Sequence, residues 1–95
     1  MELTLNDKVF VAKKIKARML RMAIEVKSRV DFNDLTVEGL DELVDLTCEM
    51  YENQFTRDEF YDGLDADKLI DTLGGILNGA VNGVLNRLEK FPSEQ

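Results

Sequence analysis

Apolar and polar residues alternate along "ELTLNDKVFVAKK", Glu2 to Lys14, on both sides of Asn6-Asp7. A period of two belongs to a strand, and Asn-Asp tolerates the positive φ of a two-residue turn. The pattern predicts a β-hairpin within residues 1–14, with strands near 2–5 and 8–13. Two strands are marginal alone, so the hairpin must pack on helices or pair an edge with another chain. From Ile15 the period lengthens. Ile15, Met19, Met22, Ala23, Val26 and Val30 form one stripe, widened by Leu20 and Ile24, opposite Lys14, Arg18, Arg21, Glu25 and Ser28. That predicts a helix over 15–30.

Thr36 is an N-cap for a second helix, 37–53, with Val37, Leu40, Val44, Cys48 and Tyr51 on its apolar stripe and Leu43 alongside. Glu38, Asp41, Glu42, Asp45, Glu49 and Glu52 make its back strongly acidic. In "FTRDEF", Thr56 and Glu59 have the spacing of a capping box, and Phe55 and Phe60 that of a hydrophobic staple. The helix they start, 56–62, is short because Gly63 offers a left-handed stop. Asp65 can cap again, with Leu64 and Leu69 as a second staple, opening a last helix over 66–90. Pro92 lies past its end, and residues 91–95 should fray. The expected fold is mainly α: a single small helical domain of three to four helices with a short N-terminal β-hairpin.

The last helix raises a question. "DTLGGILNGAVNGVLNRL", Asp71 to Leu88, holds four of the six glycines, and each interior glycine costs a helix roughly 0.5–1 kcal/mol relative to alanine. Gly75, Gly79 and Gly83 recur every four residues and line one edge, with Asn78, Asn82 and Asn86 on the next. Leu73, Ile76, Leu77, Ala80, Val81, Val84, Leu85 and Leu88 fill the broad remaining face. A membrane helix is disfavoured by Asp71, Arg87 and the asparagines, and a membrane-active amphipathic helix by the lack of a cationic face. Two readings stand. The glycines admit another helix of the same chain, or the seam meets a second protein chain, for which uncharged asparagine beside glycine is cheap to dehydrate.

Composition narrows the chemistry. The 95 residues contain no histidine and one cysteine, Cys48. The usual general base and the commonest metal ligand are therefore absent, and the chain reads as a non-enzyme. Cys48 sits on the apolar stripe as a small core residue. "YDGLDADK" brings Asp62, Asp65 and Asp67 together but lacks the glycine and glutamate spacing of a calcium loop. No cofactor or metal is expected. There is no signal-like start and no apolar run of the ~18–20 residues needed to span a bilayer, which predicts a cytoplasmic protein.

The net charge of −7 is uneven: residues 1–30 hold eight Lys/Arg against three Asp/Glu, and residues 31–95 hold four against sixteen. The halves can pair within one chain, or the basic end of one copy can meet the acidic body of the next. Arg18 and Arg21 belong to that basic end. The acidic body opposes nucleic-acid binding. The reverse, an acidic surface of Glu38, Asp41, Asp45, Glu49 and Glu52 that imitates DNA to inhibit a nucleic-acid enzyme, is the alternative reading.

With "KKIKAR" near its start, "LDELVDLTCEMYENQFTRDEFYDGLDADKLIDTL" in its middle and an apolar tail, the chain resembles tail assembly chaperones of long-tailed siphophages, above all those of Gram-positive bacteria. The most specific part is Asn53 to Leu69. The resemblance implies a small α-rich protein of the host bacterial cytoplasm that assembles into spirals or rings. It also implies coating of the tape measure protein before the tail tube polymerises, without catalysis. The family often makes a longer form by programmed frameshifting, and this chain is similar to the short form. The candidates for self-association or client binding are Gly75, Gly79, Gly83, Asn78, Asn82, Val81, Leu85, Arg18 and Arg21.

Overall fold

Strands β1 (Glu2–Leu5) and β2 (Lys8–Val11) pair antiparallel, with Leu5 opposite Lys8 and Glu2 opposite Val11. Asn6 and Asp7, at φ 51° and 65°, make the turn, both left-handed as a primed two-residue hairpin requires. The computed structural model describes residues 2–12 and 14–89, and side chains as far as Val81. Among the described residues four helices follow the hairpin: α1 (Ala17–Arg29), α2 (Val37–Met50), α3 (Arg57–Gly63) and α4 (Ala66–Glu89). The fold is mainly α, as the apolar periodicities predict.

Several boundaries differ from the predicted ones, each for a local reason. β2 stops at Val11 rather than residue 13: the Gln54 side chain donates to the Val11 carbonyl at 2.8 Å, and Ala12 turns into the core. The first helix starts at Ala17 rather than Ile15, because the backbone is still extended at Lys16 (φ −80°, ψ 159°), whose side chain has no capping oxygen. It ends at Arg29 before an extended Val30. The second helix ends at Met50, three residues early. Glu52 and Asn53 both adopt positive φ, and the Asn53 N–H reaches back to the Cys48 carbonyl at 2.8 Å. The left-handed stop therefore lies here and not at Gly63, which closes α3 without a positive φ and is followed by extended Leu64. The last predicted position of α4, Lys90, and the tail 91–95 lie outside the described residues.

Capping is explicit at two helix starts. Thr36 Oγ1 accepts the Gly39 N–H at 3.0 Å. At α3, Thr56 Oγ1 accepts the Glu59 N–H at 3.1 Å, and the Glu59 carboxylate accepts the Thr56 N–H at 2.8 Å. These bonds satisfy donors that a helix start leaves unpaired. Phe55 and Phe60, both buried, stack across the cap with centroids 6.1 Å apart. Asp65 precedes α4, and its carbonyl accepts the Lys68 N–H at 3.0 Å.

One core joins all the elements. α1 packs on α2 and α4, α2 also meets α3 and α4, and α3 holds β1. Leu43, Val44, Tyr51, Phe60 and Leu73 are its largest fully buried side chains. The buried face of α2 is wider than its predicted stripe, because Leu46, Thr47 and Met50 are buried too, while Val37 is 71% exposed. Thr47 is tolerated there because its hydroxyl donates to the Leu43 carbonyl. Ile24, assigned to the stripe of α1, is instead half exposed.

Candidate functional site

Two sorts of glycine emerge from the packing. Gly63 is a close-approach glycine: a Cβ there would stand 2.9 Å from Leu5 Cβ and 3.4 Å from Leu5 Cα. The Asn6 N–H donates to the Gly63 carbonyl at 3.1 Å, so the hairpin turn rests directly on the end of α3. Gly75 and Gly79 are the opposite. Both are exposed, and a Cβ at either would meet nothing within 4 Å among the described residues. Of the two readings of the seam, the one in which it admits a helix of the same chain finds no neighbour at either position among the described residues. Leu73, Ile76, Leu77, Ala80 and Val81 face the core, which turns the Gly75–Gly79 edge outward.

Val81 is consequently a core residue, 5% exposed, and not an exposed association candidate. Asn78 is exposed beside the glycines. The side chains of Asn82 and Leu85, and the surroundings of Gly83, lie outside the described residues. Arg18 and Arg21 are exposed on α1. Arg18 borders a small pocket with Met19, Glu49 and Asn53, and Arg21 approaches Glu25 at 4.0 Å.

Gly75 and Gly79 form one wall of a groove of about 710 Å³ between α4 and β1. Thr72 and Ile76 continue that wall, Glu2 and Thr4 stand opposite, and Tyr51 also lines the groove. The Tyr51 side chain is fully buried, and its hydroxyl has no hydrogen-bond partner among the described residues. Burial pushes its pKa up, and the nearby Glu2 carboxylate adds to that. A buried hydroxyl without a partner forfeits roughly 1–3 kcal/mol. Asp7, Asp65 and Asp71 join Glu2 in making the rim acidic, against Lys68. The arrangement combines a smooth ledge, a strand and an acidic border.

Comparison with known proteins bears on what such a groove serves. A family model described as a phage tail chaperone protein matches residues 1–94. The chain belongs to that family. No curated protein and no solved structure matches it.

In this member of the phage tail chaperone family the acidic back of α2 is not a free array of carboxylates. Arg57 bonds Asp45 through two nitrogens, at 2.9 and 2.6 Å, and lies 3.5 Å from Asp41. Asp41 also accepts the Tyr61 hydroxyl at 2.6 Å. Burial and that bond push the Tyr61 pKa well above the ordinary tyrosine value, and the bond to Asp45 pushes Arg57 upward. Arg29 pairs with Glu42 at 2.8 Å and ties α1 to α2. Two of the five carboxylates needed to imitate DNA, Asp41 and Asp45, are thus already engaged. Cys48 is buried, and burial, reinforced by Asp45, raises its thiol pKa. A thiol held protonated is a poor nucleophile. No helix among the described residues is long and apolar enough to cross a membrane.

Sequence reasoning singled out the glycine edge and missed its surroundings. Tyr51 read as one more stripe residue, and Asp71 only as a charge against membrane insertion. The spacing Asp71, Gly75, Gly79 places all three on one helix edge. That was the available signal, but nothing local showed that β1 lies across from it.

Proposed function

We propose that the chain is a non-enzymatic tail assembly chaperone that associates with copies of itself and coats the tape measure protein while the phage tail is built. Membership of the phage tail chaperone family supports the general role. The observation that carries the finer reading is the bare Gly75–Gly79 edge. Two interior glycines weaken α4 by roughly 1–2 kcal/mol in all, and no neighbour among the described residues uses the space they leave. A surface kept smooth at such a cost is explained by something that lies against it. A long helical client with exposed apolar residues, and a neighbouring copy, are both partners of that kind. Contacts between unlike faces of successive copies would build open helices or rings.

Two measurements test this reading. Sedimentation velocity across a concentration and salt series should reveal species larger than a dimer. Co-expression with the tape measure protein of the same phage should yield a complex that purifies together. A protein that stays monomeric at tens of micromolar and leaves the client behind would overturn it.

A further inference from the structure

The groove has a property its glycines do not explain: β1 turns into it an edge that is unpaired among the described residues. The two-residue turn makes Leu5 and Lys8 a bonded pair, and the antiparallel alternation makes Leu3 and Phe10 the next. Glu2 and Thr4 therefore direct their N–H and C=O groups away from β2. Both line the groove, and no residue of β2 does. A free strand edge is a template for another extended segment. Beside it lies the unpartnered Tyr51 hydroxyl. Glu2, Asp7, Asp65 and Asp71 take no part in the ion pairs among the described residues. An occupant that suits these features is extended, carries backbone acceptors and is positively charged.

The same chain displays such a segment. Lys14, Lys16 and Arg18 are exposed and form no ion pair among the described residues. Residues 14–16 are non-helical, and Lys16 has extended backbone. These basic residues border a pocket that shares no residue with the groove. Internal pairing between the basic and acidic halves is confined to Arg29 and Glu42 among the described residues. We infer that the groove between β1 and α4 receives the non-helical residues Lys14–Lys16 of a second copy, with Arg18 of that copy's first helical turn beside them. The stretch pairs with the edge of β1, and its cations face Glu2, Asp7, Asp65 and Asp71. This inference rests on the self-association proposed above and adds its geometry: groove and basic stretch are different surfaces, so each copy can give one and receive the other, and the contact propagates.

The test is a charge swap read by sedimentation equilibrium. One variant is Asp71→Lys; the other combines Lys16→Glu and Arg18→Glu. All three positions are exposed, and circular dichroism melts establish that each variant is folded. Each variant alone should raise the dissociation constant for self-association about tenfold or more, because like charges then meet. An equimolar mixture should associate again, since each groove now faces a stretch of opposite charge. Unchanged constants in the single variants, or a mixture no stronger than its components, would overturn the inference while leaving self-association intact. Variants that keep self-association but lose the tape measure protein would overturn it in favour of the client as occupant. A wild-type protein that is monomeric throughout would remove both the inference and the reading beneath it.

Discussion

Gly63 and the pair Gly75, Gly79 are one residue type put to two uses. Gly63 exists for the fold: the backbone of the hairpin passes so near that a methyl group would stand 2.9 Å from Leu5 Cβ, and the Asn6 N–H is bonded to its carbonyl. Gly75 and Gly79 have open space where a side chain would be, among the described residues. The difference separates what this molecule needs in order to be itself from what it carries for another. A glycine in contact is a packing solution. A glycine in the open, inside a helix, is a standing cost, and the function proposed above assigns it to a partner.

That contrast can be broken by substitution. Gly63→Leu has the largest expected effect, a loss of roughly 1–3 kcal/mol through overpacking. Leu5 Cβ and its backbone are not the far end of a flexible chain, and chemical denaturation would read the loss. A stability equal to wild type would remove the distinction from one side. The double variant Gly75→Ala, Gly79→Ala should do the reverse and stabilise the isolated chain by roughly 1–2 kcal/mol, because helix propensity improves and no neighbour is displaced. A fall in stability would show that the edge is packed after all.

Much of the architecture was legible because its causes are local. The hairpin turn follows from Asn6-Asp7 and the start of α3 from Thr56 and Glu59, within a few residues of each other. What failed was long-range. In sequence, a glycine that stops a helix by positive φ and one that admits a passing strand look alike, so Gly63 was given the wrong task. The left-handed turn fell instead to Glu52 and Asn53, where no glycine marks it. The glycine edge of α4 was visible as periodicity, but its direction depended on which neighbouring face won the core. The packing of Leu73, Leu77 and Ala80 decided that. Tyr51 and Glu2 could not be joined to the site, because β1 and α4 lie at opposite ends of the chain.

The smallest effect concerns two tyrosines treated differently by their surroundings. Tyr61 donates to Asp41, whereas the Tyr51 hydroxyl is alone among the described residues, and both pKa values are raised, first by burial. In the unfolded chain each ionises near the ordinary value of 10.0, while the folded chain holds the proton to higher pH. Their contribution to stability is therefore complete below that pH and is lost as pH rises above it. The urea midpoint should fall in that alkaline range, and Tyr61→Phe should make the fall shallower. An unchanged slope in the variant would show that Tyr61 is not held as described.

The central claim is that the Gly75–Gly79 edge is kept bare for a partner, and Gly79→Leu tests it most directly. A leucine there enters open space in the isolated chain and fills the ledge on which the partner would lie. The expected result is wild-type helicity and a melting temperature that holds or rises, together with loss of self-association and of co-purification with the tape measure protein. An unfolded variant, or a folded one that assembles and binds as before, would contradict the claim.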